Sequence, residues 1–136
     1  MSKKPFATLS LLTAFVAGPI FAEGPLKATI PFDFTVGGTR MTAGEYTIAL
    51  DKPGTAWIIR EDRRASCGVV TMGVSARQMP ESGKLVFHNY RGTFFLSQIW
   101  SPGNTYGREL HKSKLELEVA RNAGAAQLAS VRVAPR

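Results

Sequence analysis

Between residues 29 and 36, apolar and polar side chains alternate without a fault. Ile30, Phe32, Phe34 and Val36 fall on one side, Thr29, Pro31, Asp33 and Thr35 on the other. Successive side chains of a strand point to opposite faces, so this period predicts a strand with one face in a core and one in water. Proline cannot donate to a ladder, which places Pro31 at an edge or a strand end. Gly37-Gly38 marks a turn. A second strand is predicted over 45–50, with Tyr46, Ile48 and Leu50 inward, and Asp51-Lys52-Pro53-Gly54 follows as a turn. A third covers 56–60 and carries Trp57, Ile58 and Ile59; the charged Glu61-Asp62-Arg63-Arg64 ends it as a loop or hairpin tip. A valine-rich fourth covers 67–74, and the polar stretch 75–83 reads as a surface loop.

The clearest hairpin joins 84–90 to 93–100 through Arg91-Gly92, pairing His88 with Phe95 and Phe87 with Leu96. One face then holds Leu85, Phe87, Phe94, Leu96 and Trp100; the other holds Val86, His88, Phe95 and Ile99. Both faces are largely apolar, so the hairpin is expected to be covered on both sides. After Gly107 the pattern is ambiguous, because 114–119 alternates like a strand. Against that, Ser113 followed by Glu116 is a capping box, Gly124 sits where a helix would end, and the residues between are good helix formers. A helix over about 113–123 is predicted. Residues 125–136 form either a last short strand, with Ala129, Val131 and Val133 on one side, or a loose tail. The chain is therefore expected to be all-β or β-rich α+β. The fold would be a small antiparallel β-sandwich or barrel of about six to seven strands with one short C-terminal helix.

The N-terminus departs from this pattern. Lys3 and Lys4 precede an uncharged, mostly apolar run from Phe6 to Phe21, Pro19 interrupts it, and Ala22 supplies a small residue before Glu23. These are the zones of a cleavable signal peptide over 1–22. The run is shorter than the roughly 20 residues of a spanning helix. The expectation is a single domain over 23–136, periplasmic or secreted, with no transmembrane segment after cleavage. A membrane barrel fits poorly, since its strands need about 9–11 residues and most strands here are shorter.

Charge narrows the partners. Removing Lys3 and Lys4 from the 17 basic residues leaves 15 against 10 acidic, a formal +5. In the cytoplasm that excess would raise nucleic acid as a partner. For an exported chain nucleic acid is not expected, and the available anions are envelope polysaccharides, an anionic surface or another exported protein. The single cysteine, Cys67, cannot make an internal disulfide, so the fold must stand on its core.

No catalytic motif is present. Ser66 and Ser97 lie in no Gly-x-Ser-x-Gly elbow, and His88 and His111 have no nucleophile nearby in sequence. No short-spaced His or Cys pair offers metal ligands, and no cofactor is expected. The most suggestive grouping is Gln98, Trp100, Tyr106 and Arg108. It sets aromatic faces, an amide and a guanidinium near one strand end, a mixture suited to stacking on a sugar or clamping a carboxylate.

With these residues in view, the chain resembles a family of small exported bacterial proteins abundant among acidobacteria. The resemblance is carried by Ile30-Pro31-Phe32-Asp33-Phe34-Thr35-Val36-Gly37-Gly38, Ala43-Gly44-Glu45-Tyr46-Thr47 and Leu85-Val86-Phe87-His88. It continues in Phe95-Leu96-Ser97-Gln98-Ile99-Trp100, Gly107-Arg108-Glu109-Leu110 and Lys112-Ser113-Lys114. Met41-Thr42 stands where that pattern has a leucine-proline pair. The resemblance implies export and a compact β-rich domain. It transfers no activity, ligand or catalytic residue. Three functions follow as expectations: a non-enzymatic structural or binding module of the envelope, a sugar- or carboxylate-binding domain using Trp100, Tyr106 and Arg108, or a small hydrolase using His88 or His111.

Overall fold

The computed structural model describes residues 24–51, 54–76 and 82–135. The predicted signal peptide 1–22, Glu23, Lys52, Pro53 and residues 77–81 of the predicted 75–83 loop lie outside the described residues. The strands are β1 (Leu26–Ile30), β2 (Phe34–Val36), β3 (Thr39–Met41), β4 (Gly44–Leu50) and β5 (Thr55–Arg60), then β6 (Ser66–Ser75), β7 (Lys84–Tyr90), β8 (Thr93–Trp100) and β9 (Tyr106–Leu110). One helix, α1 (Lys114–Ala123), precedes β10 (Gln127–Pro135). The hydrogen-bonded order β8-β7-β10-β1-β4-β5-β6-β9 closes on itself because β9 pairs β8 as well as β6. The result is a closed antiparallel β-barrel; β2 and β3 extend it as a flap, with β2 parallel to the free half of the β8 edge.

Much of the inward set is apolar residues that the sequence pattern places on one face. Leu26, Ala28 and Ile30 of β1, Tyr46 and Ile48 of β4, and Ala56 and Ile58 of β5 are all buried. Leu85 and Phe87 of β7 and Leu96 of β8 join them in one cluster. Phe32 stacks on Phe94 with centroids 3.8 Å apart and meets Phe87 edge-on at 5.0 Å, closing one end. At this strand number the interior is just wide enough for side chains to fill it.

Several boundaries differ from the sequence reading. The 29–36 strand is two strands: the ladder stops at Ile30, before Pro31, and resumes at Phe34. The alternation survives the break, since Ile30, Phe34 and Val36 are buried and Phe32 half-buried, but Thr35 is buried too. Strands β3 and β9 were not anticipated. β3 is only three residues long, and Tyr106–Leu110 carries too few apolar residues to signal a strand. Residues 127–135 form a full strand rather than a tail, because β10 is needed on two sides. It pairs β7 through 127–132 and β1 through 133–135.

The β7–β8 hairpin pairs His88 with Phe95 and Phe87 with Leu96, as its turn requires. Beyond that point the register slips by one residue between Val86 and Phe87. The slip reverses two face assignments. Ile99 now pairs with Leu85 and enters the core, while Trp100 pairs with Lys84 and lies on the outer face. A bulge of this kind inserts one residue into one strand and leaves it unpaired; here that residue is Ser97.

α1 follows because the chain must travel from β9 to β10 across the outside of β8 and β7, which lie between them. Ser113 is its N-cap and accepts a hydrogen bond from the Glu116 amide at 3.2 Å. Gly124 ends it at φ 86°, its amide bonded to Ala120 O at 2.9 Å. Glu116, Val119, Ala120 and Ala123 recur at helical spacing and are its less exposed residues, whereas Leu115 and Leu117 face outward.

The Trp100 ring lies directly over Gly107, where a Cβ would approach it to 2.6 Å. Gly107→Ala is therefore expected to cost about 1–3 kcal/mol of stability by overpacking. Gly73→Ala, where a Cβ would meet nothing within 4 Å, should stay within about 0.5 kcal/mol of the parent. Urea unfolding of the two variants checks the contrast.

Candidate functional site

On the outer wall, β7 presents Val86, His88 and Tyr90, and β8 presents Phe95, Ser97 and Trp100. Tyr90 is 3 % exposed and Ser97 4 %. α1 lowers Glu116 onto this wall, and at 4 % exposure Glu116 is the helix's one buried residue. Its side chain does not return to the N-cap, as a reciprocal capping box would require. Instead Tyr90 OH donates to Glu116 Oε2 at 2.8 Å, and His88 Nδ1 lies 2.7 Å from the same oxygen. On the far side of the ring, His88 Nε2 is 3.3 Å from Ser97 Oγ. An ionised carboxylate only accepts, so the hydrogen sits on Nδ1; in the neutral ring Nε2 is then the acceptor and Ser97 the donor.

Serine, imidazole and carboxylate thus stand in the order used to activate a hydroxyl nucleophile. What surrounds them differs from an open active site. Ser97 is buried, on a strand bulge rather than at an exposed turn. A reacting carbonyl would have to come within about 3–3.5 Å of its oxygen. Burial and the Glu116 carboxylate also push the Tyr90 phenol up to about 12. That phenol is a fixed donor here, not a proton source near neutrality.

Sequence reasoning found His88 but not its partners. Ser97 lies in no elbow motif, and Glu116 fits a capping box, so neither is marked by the sequence as a partner of His88. One signal was available: Ser97 is two residues from Phe95, the partner of His88, and so falls on the same face of the hairpin. The position of Glu116 over that face was not readable, because it depends on the β9-to-β10 crossing. His111 is exposed.

The structure divides the four residues singled out from the sequence into two pairs. Gln98 and Trp100 lie on the outer wall: Trp100 Nε1 donates to Gln98 Oε1 at 3.0 Å, and Gln98 Nε2 donates to Glu109 Oε2 at 3.2 Å. The indole is only 6 % exposed, leaving no face for a sugar to stack on. Arg108 pairs with Ile99 and therefore faces the barrel interior, with Tyr106 two residues along on the same side. Arg108 Nη1 donates to Thr55 O at 3.2 Å, and Tyr106 is 69 % exposed at the rim.

The remaining charged groups hold corners. Asp33 Oδ1 accepts the Ala43 amide at 2.9 Å and its other oxygen meets Arg40 at 3.3 Å; these bonds lower its pKa. Arg60 spans to Asp62, to the Thr42 hydroxyl at 2.7 Å and to Ala43 O at 3.0 Å, and the bonds to Asp62 and Tyr46 raise its pKa. Cys67 is a half-buried free thiol with Sγ 3.6 Å from Val36 O. Among the described residues no three His, Cys, Asp or Glu side chains converge as metal ligands. Comparison with family models, with curated proteins and with solved structures finds no match to this chain.

Glu116→Ala would leave the Tyr90 hydroxyl and the His88 ring without their shared acceptor beneath a helix. A loss of about 3 kcal/mol is expected, measurable by urea unfolding, with Tyr90→Phe costing less. A raised folded-state pKa means the protonated phenol stabilises the fold. That contribution is complete below the unfolded value of 10.0 and disappears as pH rises through about 12. Alkaline unfolding followed by tyrosinate absorbance should therefore lose its component between those values in Tyr90→Phe.

Proposed function

We propose that the chain is an exported, non-enzymatic barrel module that acts as a rigid scaffold and binds through its surface and rim. The observation that carries this reading is the burial of its chemistry. The interior is occupied by Phe34, Tyr46, Phe87 and their neighbours, and the Ser–His–Glu alignment is largely buried, with Ser97 and Glu116 each 4 % exposed and only the His88 side chain reaching solvent. Buried and mutually bonded, that network fixes the helix to the wall. Surface charge supports an anionic partner. Among the described residues Lys27, Arg40, Arg63, Arg64, Lys84, Arg91, Lys112, Lys114, Arg121 and Arg132 are exposed, against Asp33, Glu45, Asp51, Asp62 and Glu118 on the acidic side. Export rests on the N-terminal pattern of residues 1–22.

A second reading, acyl transfer by Ser97, is favoured by the 3.3 Å and 2.7 Å contacts on either side of the His88 ring. The two readings separate cleanly. A scaffold should leave aryl esters unhydrolysed and should not be labelled by a fluorophosphonate probe, and Ser97→Ala should change stability only. Labelling that vanishes in Ser97→Ala, with ester turnover lost in Glu116→Gln, would establish the hydrolase instead.

A further inference from the structure

β10 changes neighbour part-way along its length. Residues 127–132 pair with β7, and only 133–135 pair with β1, against 26–28. At this change lies a groove of about 510 Å3, lined by Lys27, Thr29, Val131, Arg132, Val133 and Ala134. The register gathers cations around it. Lys27 stands opposite Ala134, and Arg132, two residues from Ala134, stands opposite Lys84. Opposed residues and alternate residues of a strand share a face. Lys27, Lys84 and Arg132 therefore form one outward cluster, and all three are exposed. Like charges directly opposite each other destabilise a ladder. Even so, among the described residues neither Lys84 nor Arg132 is paired with a carboxylate. β1, β4, β7 and β10 together carry a single acid, Glu45. It reaches Lys27 at 3.8 Å with both side chains about half exposed, and an exposed pair of this kind is loose.

Deepening the binding-module reading above, on which it rests, we infer that this groove binds the phosphate monoester of a phosphorylated sugar. Three cations against one carboxylate leave the face with a net charge of +2. A phosphate monoester carries about −1.5 to −2 at pH 7 and offers three acceptor oxygens. It therefore matches the whole cluster, whereas a carboxylate would answer one charge of it. The Arg132 guanidinium offers planar donors suited to two phosphate oxygens, and the ammonium groups of Lys27 and Lys84 add point charges. Thr29 contributes a hydroxyl to the same groove. The volume falls within the range of about 300–1,000 Å3 typical of small-molecule sites, which leaves room for a sugar ring beyond the phosphate. Val131, Val133 and Ala134 give that ring an apolar lining. A lipid surface would need the charge but not the concavity.

The test is an amide NMR titration of protein produced from the full reading frame. The probe is D-glucose 6-phosphate, with D-glucose 6-sulfate, which carries one charge, and D-glucose as counterparts. Saturable shifts are expected at Lys27, Thr29, Lys84, Arg132 and Ala134 with the phosphate. They should be at least tenfold weaker with the sulfate and absent with glucose. Arg132→Gln should weaken phosphate binding at least tenfold (about 1.4 kcal/mol). Arg121→Gln, which removes an exposed cation from α1, should leave it unchanged. Equal weakening in the two variants would reduce the effect to general charge attraction and overturn the site. So would binding to vesicles containing phosphatidate without any response to the sugar phosphate. A folded protein inert toward esters but silent in this titration would remove the groove and leave the scaffold reading standing.

Discussion

Between Val86 and Phe87 the ladder to β8 slips by one residue, and Ser97 is left without a partner on β7. Most of the outer wall depends on that slip. Side chains alternate along a strand, so one extra residue exchanges the faces of everything beyond it. Ile99 turns inward to complete the core against Leu85, and Trp100 turns outward to cover Gly107. Gln98 is carried onto the same wall, where it joins Trp100 to Glu109. The last residues of β8 are then free to pair β9, and that pairing closes the barrel.

Closure has a second consequence. Because β9 and β10 flank the β8–β7 pair, the chain between them must cross the outside of both strands. α1 is that crossing, and it brings a carboxylate instead of an apolar anchor to the wall. A buried carboxylate is costly unless every lone pair is answered. His88 and Tyr90 answer it from one strand, and Ser97 extends the network through the ring. The helix can therefore occupy one position on the barrel, since sliding it by a turn would strand Glu116 away from both donors. Specificity of docking, rather than strength, is the plainest physical role of such a network.

The two ends of the barrel differ in kind. One is plugged by Phe32, Phe87 and Phe94 in stacked and edge-on contact. The other ends in Arg108, Tyr106, Ser75 and Gly73. The plug is built of aromatic rings, whereas the rim carries polar and charged side chains. The asymmetry gives the molecule a direction: an apolar plug at one end, a wall latched by α1, and a polar rim at the other.

Local pattern was enough for much of this. The strict alternation around Tyr46 and Ile48, the Arg91-Gly92 turn with its cross-strand pairs, and the Ser113 and Gly124 caps each express interactions among residues close in the chain. Those parts of the fold are therefore legible from sequence alone. The same holds for the inward residues of β4 and the turn-proximal half of the β7–β8 hairpin, because burial of one face follows from period two. Tertiary structure alone decided the rest. β9 is a strand because both β6 and β8 offer it free edges, not because Tyr106–Leu110 looks like one. Trp100 faces outward because of a bulge that no periodicity announces. Glu116 is a buried acceptor, not a cap, and Arg108 is parted from Trp100, because barrel closure determines which distant side chains share a face. Local pattern records only the preferences of neighbours; closing the ring sets positions that lie many residues apart.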